Sequence, residues 1–123
     1  MEEYFRIYTL NEIAVVEILG ERLDLFRSPD LAHQVESYIK DSGCANVVFD
    51  LNKLSYIDSS GFGFMVSIRN LIRHKGGMAA IASDNPLILH VLKLMNIQVL
   101  FPVYATAEEA VKGLNKIIFS GNK

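Results

Sequence analysis

The 123-residue sequence lacks the features that define several large classes of protein. Its one cysteine, Cys44, cannot form an internal disulfide, and no cysteine and histidine cluster has the spacing of a metal site. The net charge of −2 gives no basic field, which argues against nucleic acid as a direct partner. No apolar run approaches the roughly 20 residues that span a bilayer, and the acidic, alternating N-terminus is unlike a secretion signal. We therefore expect a cytoplasmic domain with no membrane segment, metal or cofactor.

Motifs that would indicate an enzyme are missing as well. The stretch "DSSGFG" at 58–63 is not the G-x-S-x-G of a nucleophile elbow, and nothing in the sequence places a base beside its serines. There is no G-x-x-x-x-G-K-[ST] phosphate loop, and Gly76-Gly77 follow a predicted helix instead of opening one. The three histidines are scattered along the chain. A small hydrolase that uses Ser59 is therefore the weakest interpretation, and we expect no enzyme.

What the sequence does contain is an alternation of short β-branched runs and amphipathic segments. Strands are predicted at 4–10, 13–19, 46–51 and 78–82, with a brief extended piece at 98–103, and helices are predicted to begin at Ser28, near Ser60, at Asp84 to Pro86 and at Thr106. The first two strands predict a hairpin. Short connections and right-handed crossovers then favour an α/β fold in one domain, residues 1–123, with a mixed, mainly parallel sheet of four to five strands and about four helices packed against it. Residues 118–123 are expected to fray.

The predicted helices also carry capping and burial signals. Ser28 is expected to cap the first helix, with Pro29 at its first position. Thr106 to Glu109 read as a capping box, in which the threonine oxygen and the glutamate satisfy each other's backbone amides. The residues expected on the apolar sides of the last two helices are Leu87, Val91, Leu94 and Met95, and Ala110, Leu114, Ile117 and Ile118.

Asp58, Ser59 and Ser60 lie where a predicted strand gives way to a helix. One interpretation is capping alone, since aspartate and serine are preferred N-caps. The other uses the same geometry, because unpaired backbone amides and the helix dipole favour negative charge at a helix N-terminus. A phosphate of roughly −1.5 to −2 charges can be added there without melting the helix. A serine in this position can therefore switch the surface charge while the fold persists.

The helix that follows these serines has two faces. Its predicted core residues are Phe64, Met65, Ile68, Leu71 and Ile72, and a second face carries Phe62, Val66, Arg69 and Arg73. The second face is either a contact surface or the edge of a broad buried face covered by arginine stems. Gly61 and Gly63 each cost roughly 1 kcal/mol against alanine in a helix. They imply the close approach of another backbone, from within the fold or from a partner.

The stretch "NVVFDLNKLSYIDSSGFGFMVSIRNLIRHKGGMAAIAS", residues 46–83, resembles the central signature of the STAS domain, the fold shared by sulfate-transporter tails and bacterial anti-sigma factor antagonists. The specific part is a strand ending in Asp, then Leu, then Asp-Ser-Ser-Gly-x-Gly, a helix, and Gly-Gly before the next strand. The correspondence runs from the opening hairpin through the last helix. A free-standing domain of this length is similar to the antagonist branch and not to transporter tails.

The resemblance implies partner switching. In such systems an anti-sigma factor that is also a serine kinase holds a sigma factor inactive, and the unphosphorylated antagonist binds the anti-sigma factor and frees the sigma factor. Phosphorylation of the serine after the motif aspartate breaks that complex, and a serine phosphatase restores it. That serine corresponds to Ser59, Asp58 matches the motif aspartate, and Ser60 is a cap or an alternative acceptor. The residues assigned to partner binding are Asp58, Ser59, Ser60, Gly61, Phe62, Val66, Arg69 and Asp24.

Two departures from the family pattern bear on this assignment. The family's Gly-x-Leu-Asp loop reads Gly20-Glu21-Arg22-Leu23-Asp24 here, one residue longer, which makes Asp24 a looser match. Phe62 stands where the family has a small aliphatic residue, which bears on partner choice. A second interpretation is a non-switching accessory subunit or scaffold of a transport complex, with no phosphate on Ser59. The sequence does not indicate an oligomeric state.

Overall fold

Strands and helices alternate along residues 4–121, the part of the chain that the computed structural model describes, with side chains described through Phe119. The strands are β1 (Phe5–Leu10), β2 (Ile13–Ile18), β3 (Arg22–Leu23), β4 (Val47–Asp50), β5 (Tyr56–Ile57), β6 (Ala79–Ala82) and β7 (Val103–Tyr104). The helices are α1 (Ser28–Ser42), α2 (Ser59–Arg73), α3 (Pro86–Leu94) and α4 (Ala107–Gly121), with a short 3-10 helix at Ile97–Val99. Among these helices none is long and apolar enough to cross a membrane.

The main sheet has the strand order β1-β2-β4-β6-β7. Strand β1 is antiparallel to β2, and the other neighbours are parallel, with Val16 opposite Phe49 and Phe49 opposite Ile81. The predicted mixed, mainly parallel sheet of an α/β fold is therefore confirmed. Strands β3 and β5 form a separate parallel pair of two residues each, inside segments that the sequence analysis did not assign to strands.

The sheet separates two cores, because successive side chains of a strand point to opposite faces. Val16 and Phe49 lie in the larger core, which the apolar sides of α1, α2 and α3 complete. Val15 and Val48 lie in the smaller core, which α4 covers. The central strands are thus buried on both faces, as their nearly continuous apolar runs require.

The helix starts agree with the sequence analysis only in part. Ser28 is not the cap of α1, since Arg27 holds that position without a side-chain hydrogen bond. The Ser28 hydroxyl is buried and donates to the Asp24 carbonyl at 2.7 Å. At the start of α4, the Thr106 hydroxyl accepts from the Glu109 amide at 3.1 Å, which confirms that half of the capping box.

The apolar side predicted for α3 is wrong at Leu87, Leu94 and Met95, which are exposed, whereas Val91 is partly buried against the larger core. The buried residues of α3 are Ile88 and Leu92. In a helix that is apolar on most sides, two stripes fit helical spacing equally well, and only the neighbouring elements decide between them. The predicted extended piece at 98–103 is also displaced, because the 3-10 helix occupies its beginning and β7 its end.

In α4 the burial prediction holds near the start and fails near the end. Ala110 and Leu114 are buried as predicted, Ile118 is partly buried, and Ile117 is 41% exposed. The segment expected to fray, 118–123, is helical as far as Gly121, and residues 122 and 123 lie outside the described part of the chain.

Candidate functional site

The short strands β3 and β5 bring the loop after β2 against the start of α2. Leu23 is paired with Ile57, and the Asp58 amide donates to the Leu23 carbonyl at 3.3 Å. Because the pair is parallel, Asp24 and Asp58 follow it at the same end. The structure therefore places the loop aspartate beside the motif aspartate.

Asp58 is the N-cap of α2. Its backbone is extended, and its Oδ1 accepts from the amides of Ser60 at 2.9 Å and Gly61 at 3.2 Å. Its carbonyl accepts from the Phe62 amide at 3.1 Å. The capping interpretation is thus confirmed for Asp58. Two of the first-turn amides that could otherwise hold an anion already donate to this carboxylate.

Ser59 occupies the first position of α2 and is exposed, whereas Ser60 is partly buried. Within the described residues the Ser59 hydroxyl has no hydrogen-bond partner. Because a modifying enzyme must reach the oxygen it attacks, Ser59 is the more accessible of the two motif serines. The capping function and the free hydroxyl belong to adjacent residues and do not compete.

The two glycines of the first turns have different surroundings. A Cβ at Gly61 would lie 2.8 Å from the Leu23 carbonyl oxygen and 2.9 Å from Leu23 Cγ, so the expected close approach of a backbone comes from β3 within the fold. Gly61 is buried and cannot contact a partner. Gly63 is exposed, and a Cβ there would meet nothing within 4 Å. Only Gly63 leaves open space on the surface next to Ser59.

On the face of Phe62, Val66, Arg69 and Arg73, for which two interpretations were open, only Arg73 is exposed. Phe62 is 5% exposed and packs in the larger core, and Val66 is partly buried against that core. Arg69 donates through Nε to the Leu100 carbonyl at 2.8 Å. The buried face edged by arginine stems is therefore the interpretation that the structure supports.

Asp24 organises the loop between β3 and α1. Its Oδ1 accepts from the Phe26 amide at 3.1 Å, and its carbonyl accepts from the amides of Arg27 at 3.2 Å and Ser28 at 2.9 Å. Its Oδ2 also lies 3.4 Å from Arg22 Nε. These contacts make a closed turn over residues 24–27, in which an aspartate side chain stabilises the backbone that follows it.

Sequence reasoning missed the two residues at the tip of this turn. Leu25 is 64% exposed and Phe26 is 87% exposed. The available signal was an apolar pair between Asp24 and Arg27, outside any predicted strand or helix. Such a pair has no helix or strand face with which to bury itself.

The charges beside Ser59 include both carboxylates of this region. Asp58 is the adjacent residue, and Asp24 lies beside it through the β3–β5 pair.

Burial, with a contribution from the charge of Asp24, raises the pKa of Tyr4 to about 12, although Arg27 opposes the shift. Within the described residues no three histidine, cysteine, aspartate or glutamate side chains are grouped as metal ligands.

Comparison with known proteins places the chain in a family. The family model of the STAS domain matches residues 4–110, and the chain belongs to that family. The chain is 29% identical over 105 residues to the anti-sigma F factor antagonist of Paenibacillus polymyxa, covering 85% of this chain and 89% of that one.

Solved structures share the fold. The unphosphorylated form of the anti-sigma factor antagonist SpoIIAA matches with a TM-score of 0.77 at 18% identity, covering 91% of this chain and 96% of that one. Its phosphorylated form, from Bacillus, matches with a TM-score of 0.67 at 20% identity, covering 88% and 96%. A sulfate transporter family protein from Wolinella succinogenes matches with a TM-score of 0.71 at 14% identity, covering 90% and 91%. The fold is therefore found in antagonists and in the transporter family alike.

Proposed function

We propose that this chain is an anti-sigma factor antagonist that acts by partner switching in the cytoplasm. Its unphosphorylated form binds an anti-sigma factor that is also a serine kinase and so releases a sigma factor. Phosphorylation of Ser59 blocks that binding, and a serine phosphatase reverses it. The observation that carries the proposal is the exposed hydroxyl of Ser59 at the first position of α2, directly after the capping aspartate and with no hydrogen-bond partner among the described residues.

The proposed binding surface is centred on Ser59. Asp58 and Asp24 lie beside it, with Ser60 at its inner edge and Gly63 one turn further along α2. Val66 and Arg69 are partly buried and belong at most to its rim. Phe62 and Gly61 are buried beneath the surface, where they fix the position of α2.

A phosphate at Ser59 adds to the negative charge that the Asp58 and Asp24 carboxylates already give this surface. It adds roughly −1.5 to −2 charges next to two carboxylates. A partner fitted around a neutral hydroxyl would have to desolvate that charge, and each 1.4 kcal/mol or so lost reduces the affinity tenfold. The Ser60 and Gly61 amides already donate to Asp58, so they offer the phosphate little compensation. We therefore expect phosphorylation to weaken binding without unfolding the domain.

The proposal is tested by mixing the purified chain with its candidate anti-sigma factor and ATP, followed by intact mass measurement and peptide mapping. We expect one phosphate, on Ser59. Ser59→Ala should accept none and still bind, Ser60→Ala should still be phosphorylated, and Ser59→Asp should bind at least about tenfold more weakly. Ser67→Asp is the matched control, because Ser67 is exposed two turns further along α2. Undiminished binding by Ser59→Asp would contradict the proposal.

A second candidate function is an accessory subunit of a transport complex. The observation in its favour is that a sulfate transporter family protein has the same fold. This candidate predicts stable association with a membrane component and no phosphate on Ser59. The same mass measurement, combined with affinity purification from membranes, distinguishes the two functions.

A further inference from the structure

We propose that Leu25 and Phe26, at the tip of the 24–27 turn, are an anchor that inserts into an apolar pocket of the anti-sigma factor. The inference rests on the proposed function, because it assigns the turn to the partner that meets Ser59. It adds a second contact region to the surface around the phosphorylation site. We refer to Leu25 and Phe26 as the apolar tip.

The exposure of the apolar tip calls for an explanation. Phe26 has the highest exposure of the large apolar side chains in the described residues, at 87%, and Leu25 beside it is at 64%. Aromatic side chains, phenylalanine among them, are enriched in the buried centres of protein interfaces relative to the rest of the surface. Isolated exposed apolar residues are common on surfaces, but here two adjacent ones stand together on one turn.

The turn holds the apolar tip in a defined position. The Phe26 amide donates to Asp24 Oδ1 at 3.1 Å, and the Arg27 amide closes the turn on the Asp24 carbonyl at 3.2 Å. The same carbonyl accepts from the amide and the hydroxyl of Ser28. A turn fixed at both ends has less conformational entropy to lose on binding than a free loop. Asp24 is then a positioning residue for the partner contact.

The apolar tip lies within reach of any partner that covers Ser59. The Leu23 carbonyl accepts a hydrogen bond from the Asp58 amide, and Leu23 also packs against Gly61 in the first turn of α2. Three chain steps separate Leu23 from Phe26, so their Cα atoms lie at most about 11 Å apart. An interface of ordinary size covers about 800 Å² on each partner, which corresponds to a radius of roughly 16 Å. A footprint of that size centred on Ser59 is large enough to reach the turn.

The location also favours the anti-sigma factor over other occupants. The remaining strongly exposed apolar side chains of the described residues lie on α3, the 3-10 helix and α4, apart from Tyr56 on β5. Tyr56 is 40% exposed, and the Arg22 guanidinium lies over its ring, 3.9 Å from the ring centroid. The apolar tip and Tyr56 belong to the same β3–β5 unit that presents Ser59, and they are continuous with the proposed binding surface.

The test compares two identical substitutions in the full chain. Phe26→Ala should weaken binding of the unphosphorylated chain to the anti-sigma factor at least about tenfold, as truncation of an interface anchor does. Phe119→Ala is the matched control, because Phe119 is 70% exposed on α4, and it should bind like the parent. Both variants should keep the urea midpoint of the parent, since both side chains are exposed. Phe26→Leu should recover most of the affinity.

A second measurement reports contact directly. A photoreactive phenylalanine analogue placed at position 26 should cross-link to the anti-sigma factor, and the same analogue at position 119 should not. If the parent chain binds and is phosphorylated on Ser59 while Phe26→Ala binds equally well, the anchor is overturned and the proposed function stands. If the parent chain neither binds nor is phosphorylated, both are overturned.

Discussion

Asp58 and Ser59 are neighbours that divide two tasks between them. The Asp58 carboxylate accepts from two amides of the first turn of α2, and the Ser59 hydroxyl remains exposed. A serine at the capping position itself would have its oxygen engaged with the backbone, which would hinder its modification. The motif order, aspartate before serine, keeps the Ser59 oxygen outside the helix cap.

The capping role of Asp58 predicts a stability change. Asp58→Ala should lower the free energy of unfolding by about 1 kcal/mol, because two first-turn amides lose their acceptor. Asp58→Asn is the matched control and should stay close to the parent, since asparagine caps as well as aspartate. Urea unfolding measures both. Equal stability of the alanine variant and the parent would show that the cap contributes nothing.

Sequence reasoning succeeded at the residue scale where the chemistry is local. The cap at Asp58 and the threonine hydrogen bond of the capping box at Thr106 follow from side-chain type and spacing, and the structure contains both. Ser28 has the same local signals, but its hydroxyl donates back to Asp24 because a turn precedes the helix. That turn depends on the pairing of β3 with β5, which no local pattern reveals.

At the scale of elements, the start of α2 is set by its contact with β3. Gly61 lets Leu23 approach the helix, and this contact fixes the loop that bears the apolar tip. Gly63 has no such neighbour, so its cost to the helix is unrelieved within the fold. The two glycines look equivalent in the sequence but have different roles. Gly61 allows close packing against Leu23, and Gly63 leaves the surface of α2 without a side chain.

This difference predicts opposite effects of the same substitution. Gly61→Ala should destabilise the domain by about 1–3 kcal/mol, because its methyl group would overlap the Leu23 backbone. Gly63→Ala should stabilise it by about 0.5–1 kcal/mol, because alanine is the better helix former in open space. Chemical denaturation of the pair is the measurement. A loss of stability in Gly63→Ala would contradict the assignment of open space.

The apolar faces of helices show where sequence periodicity stops being informative. In α2, polar residues interrupt the pattern, and of the predicted core residues Phe64, Met65, Ile68 and Ile72 are buried, while Leu71 is only partly buried. In α3, apolar residues occupy most positions, so spacing alone allowed the wrong stripe. The choice between the stripes depends on which side the sheet lies, and that is information from tertiary structure.

At the scale of the whole molecule, Tyr4 connects the start of β1 with the segment between β2 and α1. Its carbonyl accepts from the amides of Leu19 and Gly20, and its hydroxyl donates to the Arg22 carbonyl. The Arg27 guanidinium lies 4.6 Å from its ring centroid. The edge of the main sheet therefore supports the loop that approaches Ser59.

The position of Tyr4 predicts how stability depends on alkaline pH. Burial and the nearby Asp24 carboxylate raise the pKa of Tyr4 from 10.0 to about 12. In that range the unfolded chain loses the proton before the folded one, so this contribution to stability is complete below pH 10 and is lost as the pH rises through about 12. Tyr4→Phe should reduce the slope of unfolding free energy against pH across this window.

Urea unfolding at a series of alkaline pH values measures this slope. An unchanged slope in Tyr4→Phe would show that this hydroxyl does not couple stability to pH.

The fold class was predictable at this scale because the predicted strands and helices alternate after the hairpin, and parallel neighbours with right-handed crossovers are then the ordinary outcome. The pair β3–β5 was not predictable, because strands of two residues have no periodicity of their own. That pair brings Asp24 and the apolar tip to Ser59, so the extent of the proposed binding surface could only emerge from the structure.

The occupied first-turn amides of α2 have a consequence for how fast the proposed switch can be reset. A phosphoryl group on Ser59 would find the Ser60 and Gly61 amides already engaged by Asp58, so it would remain hydrated on an outer edge of the molecule. A phosphatase could then hydrolyse the phosphate without any opening of the surrounding backbone. The lifetime of the phosphorylated form would then depend on the concentrations of the kinase and the phosphatase and not on local opening of the domain.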